Sequence, residues 1–118
     1  MTAVDAATRE RTGHASSHAV VAAVTADRVA RLLEVHRRAA FPSRWRDDEV
    51  AGVDMVLLDA DVAGHVTTWL AGGRLDGGSR EVLRRCLRDA DRALAELADA
   101  AKTRYARRLR DLAAGVLA

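Results

Sequence analysis

Hydrophobic positions recur along this chain at helical spacing and change phase at only a few places. Ser16 or Ser17 can cap a first helix running to about Ala40. At about 100° per residue, Val21, Ala22, Val29, Leu32, Leu33, His36 and Ala40 fall on one face. Asp27, Arg31, Glu34 and Arg38 fall opposite, and Pro42 ends the helix by removing a backbone donor. After the connector Phe41-Pro42-Ser43-Arg44-Trp45-Arg46, Asp47 or Asp48 can cap a second helix that stops at Gly72-Gly73. Its apolar residues wrap most of the way round: Ala51, Met55, Leu58, Val62, Val66 and Trp69 on one side, Val50, Val53 and Leu57 on another.

The third segment, with Ser79 as its expected cap, is the cleanest amphipathic stretch. Val82, Leu83, Cys86, Leu87, Ala90, Ala93, Leu94 and Leu97 make its stripe, and Arg84, Arg85, Arg88 and Arg92 lie outside it. No Gly or Pro intervenes before Gly115, yet the apolar centre then moves round to Tyr105, Leu109, Leu112 and Val116. That phase change predicts a break near 98–103 with Asp99 or Thr103 as cap. The pattern predicts an all-α antiparallel helical bundle of about four helices, over 17–40, 48–71, 79–98 and 101–116. These form a single domain over 16–118, preceded by a flexible N-terminal arm over 1–15 that has no stable period.

Composition agrees with this picture. The chain has 118 residues, 49% apolar and 31% charged, which suits one globular domain and excludes a disordered chain. Eighteen arginines stand against the single Lys102, a skew that reads as compositional bias rather than arginine-specific recognition. Net charge is only +2, and residues 47–78 form an acidic middle between basic flanks, as helix pairing within one chain would produce. The arginine band of the third helix is interrupted by Glu81, Asp89 and Glu96, which argues against nucleic acid as a partner. Asp54, Asp59 and Asp61 break the longest apolar run, so no membrane span is expected. The lone Cys86 and the lack of a basic, then apolar, N-terminal leader point to a cytoplasmic location.

The run Ala51-Gly52-Val53-Asp54-Met55-Val56-Leu57-Leu58-Asp59-Ala60-Asp61-Val62-Ala63-Gly64, followed by Leu83-Arg84-Arg85-Cys86-Leu87, resembles small all-helical proteins of high-GC actinobacteria. That group has no assigned activity. The resemblance implies a helical fold and transfers no functional residue.

Candidate chemistry is confined to two places. On the second helix Asp54, Asp61 and His65 share one line, with Thr68 alongside. With His36 from the first helix they could ligate a divalent metal or tune a proton-transfer histidine. The bland alternative is a salt-bridge seam served by arginines of neighbouring helices. No Glu-x-x-His pair matches the di-metal bundles, so no cofactor is required, a divalent metal being the one candidate. Arg44-Trp45-Arg46 could anchor a partner, although such a tryptophan more often closes the end of a bundle. Asp59 stands on the far side of its helix and, if buried, needs a partner, expected to be an arginine of a neighbouring helix or subunit. The glycines at 72–78 lack the Lys-Ser/Thr ending of a phosphate loop. Cys86 has no neighbouring activator and reads as a small hydrophobe.

The expectation is a non-enzymatic protein-interaction or homo-oligomerising module, because so small a bundle struggles to cover the second helix on all sides. The alternative is a metal- or small-molecule-binding bundle using the Asp/His stripe.

Overall fold

Four helices and one short hairpin make up the chain, described by a computed structural model. It describes the backbone over 3–42, residue 45 and 49–118, and side chains at 17, 19–42, 45 and 49–118. Helix α1 spans Ala3–Arg38, α2 Met55–Gly72, α3 Gly77–Glu96 and α4 Ala100–Leu117. Strands β1 (Glu49–Val50) and β2 (Val53–Asp54) pair antiparallel, Glu49 opposite Asp54 and Val50 opposite Val53. No helix is long and apolar enough to cross a membrane, among the described residues.

The all-α bundle expected from the apolar spacing is the observed fold, with α4 packed against each of the other three helices. The bounds differ in instructive ways. The second helix begins at Met55, not near 48, because residues 49–54 turn back on themselves. Ala51 and Gly52 both take positive φ (54° and 76°), the backbone of a two-residue hairpin turn. Asp54 then accepts the Leu57 N–H at 3.0 Å and caps α2. Asp76, not Ser79, caps α3: its carboxylate accepts the Ser79 N–H at 2.7 Å, starting the helix two residues early. The break between the last two helices falls at Leu97–Asp99, where Asp99 accepts the Lys102 N–H at 2.8 Å. Gly73 ends α2 in the left-handed conformation (φ 74°) expected of a helix-terminating glycine.

Helix α1 begins at Ala3 rather than 17 and is far longer than the bundle that holds it. Thirty-six residues at 1.5 Å each give about 54 Å, and the molecule measures 66 × 27 × 23 Å. Its core contacts start at Val29 and continue through Leu33 and His36, one residue per turn. The core itself joins Met55, Leu58, Val62 and Val66 of α2 to Leu83, Cys86, Ala90 and Ala93 of α3. Tyr105, Ala106, Leu109, Leu112, Ala113 and Val116 of α4 complete it.

Candidate functional site

Three polar side chains lie on the inward faces of three different helices, and they meet. His36, 4% exposed, comes from the last turns of α1, Asp59 from the second turn of α2, and Tyr105 from α4. His36 Nε2 lies 2.6 Å from Asp59 Oδ1, and the Tyr105 hydroxyl donates to the same oxygen at 2.8 Å. A carboxylate only accepts, so Nε2 carries the proton of that bond. Asp59 thus finds its partner inside the chain, in a histidine and a tyrosine rather than the expected arginine. Such an arrangement answers the cost of placing a carboxylate in a bundle interior.

The electrostatics follow from that geometry. Burial alone would raise the Asp59 carboxyl; the hydrogen bonds from His36 and Tyr105, with the electrostatic attraction of the imidazole, outweigh it and hold the group below its ordinary range. Tyr105 moves the other way: burial and the adjacent Asp59 carboxylate push its hydroxyl well above the usual phenol range. It stays a neutral donor at any physiological pH.

An aromatic shell closes over the cluster. The Tyr105 ring stands 4.5 Å from His36, 5.4 Å from Phe41 and 5.7 Å from Trp45, the latter two nearly edge-on. Trp45 is 2% exposed and packs on Phe41 at 5.8 Å. It therefore plugs the end of the bundle; its neighbours Arg44 and Arg46, paired with it as a candidate anchor, lie outside the described residues. His36 Nδ1 and Trp45 Nε1 are buried without hydrogen-bond partners among the described residues.

The stripe expected on α2 is distributed over separate duties. Asp54 is the helix cap already described. Asp61 faces Arg85 of α3 at 3.6 Å. His65 donates from Nδ1 to the Asp61 backbone carbonyl at 2.7 Å, one turn earlier on its own helix. Asp61 and His65 share a shallow groove of about 310 Å³ with Thr68 and Ser79, and Asp54 and Asp61 share another of about 300 Å³. His36 lies with Asp59 instead. Among the described residues, no three His, Cys, Asp or Glu side chains gather closely enough to hold a metal. Cys86 is buried in the α3 stripe, and burial together with the nearby Asp61 carboxylate pushes its thiol up to about 11.

Tyr105 is the member that sequence reasoning placed only in an apolar stripe. Its signal was available: His36, Asp59 and Tyr105 are the polar-capable residues that interrupt the inward faces of three helices, and buried polar groups seek one another.

A second feature lies on the surface. Val20, Val21 and Val24 of α1 are 59%, 65% and 46% exposed, ahead of the point where α1 joins the core. Compared with protein-family models, curated proteins and solved structures, the chain matches none.

Proposed function

We propose that the chain is a self-associating helical module, in which the stretch of α1 around Val20–Val24 pairs with the same stretch of a second copy. The observation that supports this reading is the exposed Val20, Val21 and Val24 patch on a helix that continues well beyond its bundle contacts. Helices in proteins gain most of their stability from packing an apolar face. Residues 12–26 contain no Asp, Glu, Lys or Arg, so two identical copies meet without like-charge repulsion. The alanines at 19, 22 and 23 let two such helices approach closely.

The magnitude is modest. Burying a valine contributes roughly 1.5–2 kcal/mol, and association costs about 4–15 kcal/mol in lost freedom. Three half-exposed valines from each copy therefore support association no tighter than about micromolar. Sedimentation velocity from low micromolar to submillimolar concentration tests it. The sedimentation coefficient is expected to rise with concentration, and Val21→Asp is expected to abolish the rise while leaving the helical content of the bundle intact. A monomer at every concentration overturns the reading.

A further inference from the structure

Many of the cations on α3 and α4 are paired, and three on α4 that face one groove are not. Arg84 and Arg88 reach Glu81, Arg85 reaches Asp61, Arg92 reaches Asp89, and Arg110 reaches Asp91 and Asp111. Lys102, Arg104 and Arg108 have no carboxylate within ion-pair distance, among the described residues. Their placement is unfavourable in the bare chain. Arg104 and Arg108 are one turn apart on the same helix, where like charges repel. Lys102 sits in the first turn, at the positive end of the helix dipole. Arg108 Nε is buried with no hydrogen-bond partner among the described residues, while its guanidinium carbon lies 5.3 Å from the Tyr105 ring centre.

All three cations line one groove of about 670 Å³, whose apolar surface comes from Phe41, Pro42 and the Tyr105 ring. Asp99 lies on the same groove, but its carboxylate caps α4 by accepting the Lys102 N–H. The groove is therefore net positive, partly apolar, and of a size that suits one small organic molecule.

We propose that this groove binds a small organic anion, its carboxylate or phosphate group held by Lys102, Arg104 and Arg108 and its flat apolar body lying on the half-buried Phe41 and Pro42. Arginine presents a planar fork of donors that matches either oxyanion. A bound anion relieves the repulsion between Arg104 and Arg108. The site stands apart from the proposed pairing surface: Val20 and the end of α1 at Arg38 are about 27 Å apart along the helix axis.

Trp45, packed edge-on against both Phe41 and Tyr105, is a built-in reporter once Trp69 is replaced by Phe. Fluorescence and calorimetric titrations at low salt with phenyl phosphate, benzoate, inorganic phosphate and phenol test the proposal. Phenyl phosphate or benzoate is expected to saturate, with inorganic phosphate and phenol at least about tenfold weaker because each lacks half of the contact. Arg104→Gln is expected to weaken binding by about tenfold or more, the loss of a charged hydrogen bond. Arg107→Gln, which changes the same net charge outside the groove, is expected to leave it unchanged, as is Val21→Asp. Failure of both aromatic anions to saturate, inorganic phosphate binding as tightly as phenyl phosphate, or equal loss in the Arg104 and Arg107 variants would each overturn the proposal.

Discussion

Val29 of α1 rests a methyl group on the backbone of Gly115 in α4, so close that a Cβ at position 115 would lie 2.8 Å from Val29 Cγ2. In an isolated helix, glycine to alanine gains about 1 kcal/mol. Here valine is stiff about χ1 and cannot swing aside cheaply, so the helices must separate. Gly115→Ala is expected to destabilise by about 1–3 kcal/mol in urea unfolding, and Val29→Ala in the same chain to recover part of that loss.

Removing Asp59 strands two donors at once. Asp59→Ala leaves the buried His36 Nε2–H and the Tyr105 hydroxyl without their acceptor, and is expected to cost about 2–4 kcal/mol. Tyr105→Phe removes one bond and keeps the packing, at about 1–1.5 kcal/mol. Because both bonds end on one oxygen, the double variant is expected to cost less than the sum of the two. Additive losses in denaturant titrations would mean that the two bonds act independently.

The same carboxylate sets a pH dependence. Its native pKa lies below the ordinary 3.8, so the unfolded chain binds more protons between those two values. The stabilisation is complete above the ordinary value and is lost as pH falls through the native one. Thermal unfolding of the parent chain below pH 4 is expected to fall more steeply than that of Asp59→Asn, which has no carboxyl to titrate there.

Cys86 offers a check on core packing. Burial and the Asp61 charge hold its thiol at about 11, so little thiolate exists at neutral pH and no reagent reaches it directly. Iodoacetamide labelling of the native protein at pH 8 is expected to be slow and limited by unfolding, and to become rapid in urea.

How much of this was legible beforehand depended on the range of the interaction. Spacings of three and four residues give the buried faces of α3 and α4 and the Val29, Leu33 and His36 line of α1, whereas Val21, Ala22 and Ala40, expected on that same α1 face, are exposed. The drift of the apolar centre past Leu97 locates the break before α4. The short hairpin was hidden because Val50, Val53 and Leu57 satisfy a helical period as well as a two-residue strand does. Only the pairing of Ala51-Gly52 at positive φ with Asp54 as a cap distinguishes them, and alanine is not a usual residue for that conformation. The Asp54, Asp61 and His65 line depended on one continuous helix; once Asp54 becomes a cap, the line dissolves. His36 and Asp59 were each visible as polar residues needing partners. Their meeting with Tyr105 depends on packing between helices, which no local pattern encodes.

The length of α1 gives its backbone two unequal lifetimes. Amides from Val29 to His36 are expected to open only when the bundle does, whereas those of residues 19–24, whose side chains are exposed, are guarded by the helix alone among the described residues. Hydrogen exchange thus reads two clocks along one continuous rod. The inner clock is expected to run at the pace of global unfolding, and the proposed self-association predicts an outer one that slows as the protein is concentrated.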